Sequence, residues 1–217
     1  MPSEQIENYL KNIYKIQATD GKVTTTSLSD RLQISPASVT EMVKKLADDG
    51  SLTHTPYKGF ELTESGKRQA LKVVRKHRLW EMFLVEVLHF GWDEIDEEAE
   101  KLEHFMSAKM EDKIDEVLGH PRVDPHGDPI PANDGSMKKI RSVPLAEIEE
   151  GSSVRILRVS DSSPELLQYA SSVGLTLNKK ITIKQRMKFD DSLIVRIGTK
   201  ELTISSRVAE NVFAEII

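Results

Sequence analysis

The sequence predicts a mainly α-helical protein that begins with a winged helix-turn-helix and ends in a small β domain. Three observations support this fold class. Residues 1–72 follow the order helix, short helix, helix and hairpin, residues 73–140 carry three more helical patterns, and residues 141–217 contain several short alternating segments. We therefore expect three domains with these boundaries.

The first domain is predicted from capping signals and a hairpin signal. Apolar residues at helical spacing predict a helix over residues 3–18. Thr24–Thr26 can cap a short helix over residues 27–32, and Ser35 followed by Pro36 predicts the start of a second helix that ends at residues 48–50. Two short strands, over residues 51–55 and 59–62, complete the winged helix-turn-helix.

Three helices are predicted in the central segment. Thr63 is expected to cap a long helix that runs through Phe90 and is ended by Gly91. A second helix is expected from a cap at Asp93 through Met106, and a third from a cap at Ser107 through Leu118. A loop rich in proline and glycine follows, over residues 119–135.

The C-terminal domain is predicted from alternating hydrophobicity. Residues 154–159, 180–185, 192–197 and 201–205 alternate like strands, and residues 164–173 have the pattern of a helix. Several short strands within about 75 residues are typical of a small barrel.

Composition and charge restrict the function. The 217 residues are 38% hydrophobic and 30% charged, with no apolar run long enough for a membrane span. The first residues lack the pattern of a secretory signal, so we expect a cytoplasmic protein. Cysteine is absent, which excludes thiolate ligands and cysteine nucleophiles. Residues 73–140 hold 16 acidic against 9 basic residues, so this segment either attracts cations or is simply well solvated.

The second helix of the helix-turn-helix has a polar face suited to DNA. Its N-terminal end carries small and hydroxylated residues, which allow close approach to phosphates and base edges. Lysines in this helix and in the hairpin could contact phosphates. A winged helix used only for protein contacts is the alternative. The predicted DNA-binding residues are Ser35, Pro36, Ala37, Ser38, Thr40, Glu41, Lys44, Lys45 and Lys58.

Two central helices carry residues at the spacing of metal ligands. His77 and Glu81 lie four residues apart on the long helix and share one face. Glu100, Glu103 and His104 share one face of the next helix, beside its apolar side, and Asp96 lies one turn earlier. Carboxylates and imidazoles without sulfur suit manganese, iron or zinc. The alternative is a solvated acidic helix with incidental histidines.

A second candidate lies in the loop, where Asp124 and His126 are two residues apart. Both side chains can turn toward one point from a segment rich in proline and glycine. Taken alone, this pair is better explained as a turn with a capping aspartate and an exposed histidine.

The order of these motifs resembles the metal-dependent repressors that include the diphtheria toxin repressor and the manganese transport regulator. The segments ENYLKNIYKI, SPASVTEMVKKL, RKHRLWE, EAEKLEHFMS and HGDPIP carry the resemblance, which covers nearly the whole chain. It implies a homodimer that binds double-stranded operator DNA and represses metal-uptake genes when a divalent metal is bound. It also implies that residues 73–140 dimerise and that residues 141–217 form an SH3-like domain of the ferrous-transport accessory type.

The resemblance also implies two metal sites. The principal site would use His77, Glu100, Glu103 and His104, together with Asn8 from the first helix. The second site would use Glu81, Asp124 and His126, together with Asp161 from the β domain. Asp96 lies near a position that binds metal in iron-type members.

Three positions depart from the family pattern. Asn8 stands where relatives have Asp or Met, so its amide oxygen is a weaker, uncharged ligand, and Lys11 stands where some manganese-type members have a second acid. Asp124 stands where many relatives have Cys. Because no candidate ligand contains sulfur, we favour Mn(II) over Fe(II) as the co-repressor. The alternatives are a metal-independent winged-helix regulator and a metallohydrolase, although the sequence has no H-E-x-x-H motif.

Overall fold

The computed structural model describes residues 3–19, 21–55 and 59–217. The chain divides into two compact units. The first comprises Met1–Arg78, Glu100–Asp112 and Pro131–Met137, and the second comprises Leu79–Ala99, Lys113–Ile130 and Lys138–Ile217. Every helix in the described part of the chain is too short or too polar to cross a membrane.

The N-terminal elements form the predicted winged helix-turn-helix. They are α1 (Glu4–Thr19), α2 (Thr25–Leu32), α3 (Pro36–Asp48), β1 (Leu52–Thr55) and β2 (Gly59–Leu62), with β1 antiparallel to β2. The Thr24 hydroxyl accepts a hydrogen bond from the Ser27 amide at the start of α2. The Ser35 hydroxyl does the same for the Ser38 amide at the start of α3. Both caps satisfy amide groups that a helix start leaves without partners.

Apolar side chains from all three helices form the core of this unit. Leu10 and Ile13 of α1, Leu28 of α2, and Val39 and Leu46 of α3 are fully buried together. Burial of each such side chain is worth about 1.5–3 kcal/mol relative to exposure. Buried and exposed residues follow each other at helical spacing along each helix. Each helix therefore presents one apolar side to the core and one polar side outward.

Two of the central helices differ from the prediction at their ends. They are α4 (Glu64–Glu86), α5 (Asp96–Leu102) and α6 (Ala108–Val117). α4 ends four residues before the predicted Phe90, because His89 takes a left-handed conformation and the Phe90 amide bonds back to the Leu84 carbonyl.

The second difference concerns the start and the end of α5. The predicted cap Asp93 instead accepts a hydrogen bond from Gln168, and the helix begins three residues later, at Asp96. The chain then tightens into a 3₁₀ turn over Glu103–Phe105. Two predicted metal ligands therefore lie on a tight turn and not on a continuous α-helix.

The C-terminal domain is an antiparallel six-stranded sheet with two short helices. Its strands are β3 (Val143–Pro144), β4 (Ser153–Val159), β5 (Lys180–Arg186), β6 (Leu193–Ile197), β7 (Lys200–Ile204) and β8 (Val212–Ile216), in the order β3-β8-β4-β5-β6-β7. α7 (Pro164–Val173) lies at its predicted place, whereas α8 (Ser206–Asn211), β3 and β8 were not predicted. β8 is a central strand, paired with both β3 and β4.

The loop at residues 124–128 packs against β4. The Val159 amide donates a hydrogen bond to the His126 carbonyl over 2.9 Å. Gly127 has a φ of 95°, and a side chain there would overlap the Leu157 carbonyl oxygen. Only glycine permits this close approach, so the loop is fixed to the strand through its backbone.

Candidate functional site

The polar face of α3 is exposed as the sequence predicts. Ser35, Pro36, Ala37, Ser38, Thr40, Glu41, Lys44 and Lys45 are all exposed, whereas Val39, Met42, Val43 and Leu46 on the opposite side are buried. The Thr40 hydroxyl donates to the Pro36 carbonyl over 2.8 Å. Lys58 lies outside the described residues. The N-terminal end of α3 therefore has free access to a large partner such as a DNA groove.

A first cluster of titratable side chains surrounds Glu103. This carboxylate is fully buried, and it accepts hydrogen bonds from the Lys11 ammonium over 2.5 Å and from His77 Nδ1 over 2.7 Å. Burial by itself raises the pKa of the Glu103 carboxyl. The hydrogen bond from His77 and the positive charge of Lys11 outweigh burial and hold the pKa below its usual value.

The same cluster includes ligand candidates from α1 and the 3₁₀ turn. The Lys11 ammonium also bonds Glu100 Oε1 over 2.6 Å. His104 Nδ1 lies 2.7 Å from Glu7 Oε2, and Nε2 lies 3.0 Å from Asn8 Oδ1 and 3.3 Å from Glu103 Oε1. The structure thus brings together the residues predicted for the principal site.

The first cluster fits a divalent cation. An ionised Glu7 can only accept, so His104 Nδ1 carries the hydrogen and Nε2 of the neutral ring presents a lone pair. That lone pair faces the Asn8 amide oxygen and the Glu103 carboxylate at 3.0 and 3.3 Å. Neighbouring ligands around an octahedral cation with bonds of about 2.1 Å lie about 3 Å apart. Both distances from His104 Nε2 are therefore close to those between adjacent metal ligands.

A second cluster joins α4 to the loop that follows α6. Glu81, Asp124 and His126 are all buried, and each offers a ligand atom within 4.8 Å of the others. Asp124 Oδ1 accepts hydrogen bonds from the backbone amides of His126 and Asp128, each over 2.9 Å. The loop therefore closes around the Asp124 carboxylate.

The tautomer of His126 is fixed by a backbone carbonyl. Nε2 donates to the Trp92 carbonyl over 2.7 Å, and a carbonyl can only accept. In the neutral ring Nδ1 then presents its lone pair, 3.8 Å from Glu81 Oε1. Imidazole and carboxylate donors aimed at one buried point suit a divalent cation.

Electrostatics agree with this arrangement. Burial by itself lowers the pKa of the His126 imidazole, but the carboxylates of Glu81 and Asp124 outweigh it and raise the pKa above its usual value. Asp161 adds to this rise, so its carboxylate lies within electrostatic range of the ring. Asp96 is exposed, and one of its carboxylate oxygens lies within 4.8 Å of a Glu81 oxygen. His126 thus sits in a negative field that would favour a cation.

Sequence reasoning did not anticipate three partners in these clusters. Lys11 was treated as a departure from the family pattern, yet it is bonded to two of the predicted ligands. Glu7, which precedes Asn8 on α1, bonds His104. The helical spacing of Glu7, Asn8 and Lys11 was the available signal for both. No sequence signal indicated the Trp92 carbonyl, because every residue has a backbone oxygen and the sequence does not show which one bonds a side chain.

Three family models match successive parts of the chain. Residues 1–60 match the N-terminal DNA binding domain of the iron dependent repressors, and residues 63–132 match their metal binding and dimerisation domain. Residues 143–216 match the FeoA domain.

Whole-chain relatives and solved structures agree with these models. The iron-dependent repressor IdeR of Mycobacterium leprae is 29% identical over 96% of both chains. A manganese-dependent transcriptional repressor, solved in complex with manganese, is 35% identical, with a TM-score of 0.90 over 98% of this chain and 100% of the other. The chain belongs to the iron-dependent repressor family. The HTH-type transcriptional regulator MntR of Oceanobacillus iheyensis is 32% identical over 55% of this chain and 81% of that protein.

Family membership confirms the predicted fold class and the coarse function. The iron-dependent repressors combine a DNA-binding domain with a domain that binds metal and dimerises. The protein is therefore a metal-dependent, DNA-binding transcriptional repressor that acts as a dimer, and not an enzyme. This excludes the metallohydrolase and the metal-independent regulator as alternatives.

Proposed function

We propose that this protein is a cytoplasmic repressor of metal-uptake genes and that Mn(II), rather than Fe(II), is its co-repressor. The observation that carries the proposal is the chemistry of the two clusters, which offer carboxylate, amide and imidazole donors and no sulfur. Such donors suit manganese, which binds most weakly of the first-row divalent metals and therefore needs carboxylates more than soft ligands.

The principal site is proposed to consist of Asn8, His77, Glu100, Glu103 and His104. Glu7 orients His104 through its Nδ1 hydrogen, and His77 holds the second oxygen of Glu103. A bound metal would supply a positive charge that ties α1 to the 3₁₀ turn. Since α1 also packs in the core with α2 and α3, its position bears on the orientation of the DNA-binding face.

The second site is proposed to consist of Glu81, Asp124, His126 and Asp161, with Asp96 at its edge. The loop residues are held to β4 by backbone contacts, and His126 also contacts Trp92, which packs on the core of the β domain. We propose that this site fixes residues 141–217 to the central domain, residues 73–140, whereas residues 1–72 carry the DNA-binding face.

The relatives support both metals as candidates. One solved relative is named a manganese-dependent repressor in complex with manganese, and the IdeR relatives are named iron-dependent repressors. The donor set favours manganese, because Fe(II) accepts nearly the same ligands but is more often selected by softer ones.

The test is operator binding titrated with each metal. Duplexes selected from a random DNA pool with Mn(II) present would be titrated anaerobically with the protein and Mn(II), Fe(II) or Zn(II). We expect the free metal concentration that activates DNA binding, taken relative to the concentration that the cell supplies, to be lowest for Mn(II). When genomic fragments replace the random pool, we expect the protein to recover promoters of metal-transport genes. Full activation by Fe(II) at free concentrations where Mn(II) does nothing would overturn the manganese assignment.

A pair of histidine variants tests the site assignment in the same assay. His104→Ala should abolish metal-dependent binding of the selected DNA. His120→Ala is the matched control, because His120 is largely exposed, bonds Asp115 and lies in neither cluster. If His104→Ala keeps the metal response of the wild type, the principal site is elsewhere.

A further inference from the structure

A lysine side chain sits among the proposed ligands of the principal site. Lys11 is fully buried on α1, with an exposed fraction of 0%. Its Nζ bonds Glu100 Oε1 over 2.6 Å and Glu103 Oε1 over 2.5 Å. A buried ammonium is retained only where anionic partners replace its water, and these two carboxylates supply them.

The ammonium and a divalent cation require the same oxygen atom. Glu103 Oε1 is bonded to Lys11, and it also lies 3.3 Å from the lone pair of His104 Nε2. The second Glu103 oxygen is engaged by His77. The same oxygen keeps a second lone pair, but a divalent cation bound there would lie close to the ammonium, and their repulsion makes the oxygen a poor ligand until the hydrogen bond lengthens or breaks.

We propose that Lys11 is a tethered cation that holds Glu100 and Glu103 together in the metal-free repressor and leaves them when a divalent cation binds. Lys11 therefore sets the free metal concentration at which the repressor responds. The inference rests on the proposed function, because it takes Glu100, Glu103 and His104 as metal ligands.

The consequence follows from thermodynamic linkage. A group that stabilises only the metal-free state lowers metal affinity by as much as it stabilises that state. Removal of Lys11 should therefore destabilise the metal-free protein, leave the metal-saturated protein nearly unchanged, and tighten metal binding. A lysine that kept its bonds in both states would produce equal destabilisation of both and no change in affinity.

The experiment compares Lys11→Met with the wild-type dimer, both as the 217-residue chain. Methionine has a similar length and no charge. Bound Mn²⁺ is counted from the loss of the free-ion electron paramagnetic resonance signal, and thermal unfolding is measured with and without saturating Mn²⁺. Lys15→Met is the matched control, since Lys15 lies one turn later on α1 and is only half-buried.

We expect Lys11→Met to lower the dissociation constant of one Mn²⁺ per chain by about 10- to 100-fold. Its metal-free melting temperature should fall, and its metal-saturated melting temperature should stay within a degree or two of the wild-type value. Lys15→Met should change neither quantity. An unchanged or weaker affinity in Lys11→Met, or an equal loss of stability in both states, would overturn the proposal.

Two further variants keep the result interpretable. Lys11→Gln is also neutral, retains hydrogen-bonding atoms, and should shift affinity in the same direction if Lys11→Met does not fold without metal. His104→Ala tests the ligand assignment separately, because it should lose one Mn²⁺ per chain. If His104→Ala binds as much Mn²⁺ as the wild type, the proposed function fails; if it loses one equivalent while both Lys11 variants bind like the wild type, only the role of Lys11 fails.

Discussion

The two clusters bring together similar ligand types by different means. The first is held by side-chain ion pairs and hydrogen bonds, from Lys11 and Glu7 on α1 and from His77 on α4. The second is held largely by the backbone, because amides of the loop fix Asp124 and a carbonyl fixes His126. Side-chain bonds between distant segments can be exchanged for others, whereas a loop closed on its own amides is preorganised.

This difference assigns different roles to the two sites. We expect the first cluster to change its bonds with metal, since one helix of the DNA-binding domain supplies Asn8 and Lys11. We expect the second cluster to keep its conformation with and without metal, since the loop is fixed to β4. The first would then be the sensor and the second a stabilising site.

The largest effect is expected for Glu103→Gln. This change removes the charge that the Lys11 ammonium faces, and a broken buried ion pair costs about 3–5 kcal/mol. The free energy of unfolding of the metal-free protein should fall by about 3 kcal/mol, and metal-dependent DNA binding should be lost. Urea unfolding and binding to the selected DNA measure the two effects.

Glu97→Gln is the matched control for Glu103→Gln, because Glu97 is an exposed acid of α5. Its stability and its metal response should equal those of the wild type. A Glu103→Gln protein that still responds to Mn²⁺ at wild-type concentrations would remove the first cluster from the role of sensor.

Asp124→Asn should affect the second cluster alone. The Asn oxygen can still accept the amides of His126 and Asp128, so the loop should keep its conformation and the stability should change by only about 1 kcal/mol. Loss of the ligand charge should weaken the affinity for one of the Mn²⁺ ions bound per chain by about 10-fold or more. Equilibrium dialysis with metal analysis checks this loss. If DNA binding is abolished as completely as in Glu103→Gln, the second site is also a sensor.

Sequence reasoning could predict most of the fold, because caps and periodicity are local. Ser35 with Pro36 marked the start of α3, and Ser107 marked the start of α6. The predicted end of α4 was wrong because His89, and not Gly91, adopts the left-handed conformation. β8 was missed because Phe213 and Ala214 show no clear alternation and pair with strands distant in sequence.

The ligand candidates could also be predicted, but their bonding could not. Helical spacing indicated that Glu100, Glu103 and His104 share a face, and the structure brings them together. The pairing of Lys11 with two of them depends on the packing of α1 against a turn some 90 residues later. Such long-range contacts leave no periodic signal, which is why Lys11 was interpreted only as a departure from the family pattern.

Asn8→Asp should strengthen metal binding at the first cluster only. The Asn8 amide oxygen lies 3.0 Å from His104 Nε2 and carries no charge. A carboxylate there should increase Mn²⁺ affinity at the principal site by about tenfold, since a full charge at this range is worth about 1–4 kcal/mol. The second equivalent of Mn²⁺ should bind as in the wild type. Weaker binding of both equivalents would show that the two clusters are not independent.

The smallest effect is expected for Lys44→Ala, which touches neither cluster. Lys44 is exposed on α3, where it can neutralise one phosphate. Its loss should weaken binding about equally for all DNA sequences and reduce the slope of log affinity against log salt by about 0.9 for each DNA-bound chain. The Mn²⁺ concentration for half-maximal response should stay at the wild-type value, because metal binding and phosphate contact involve different residues.

Lys184→Ala, at an exposed position on β5, is the control and should leave the slope unchanged. A changed base preference with an unchanged slope would mean that Lys44 contacts bases. A shift in the Mn²⁺ concentration for half-maximal response would mean that α3 and the first cluster are directly coupled, although they share no residues.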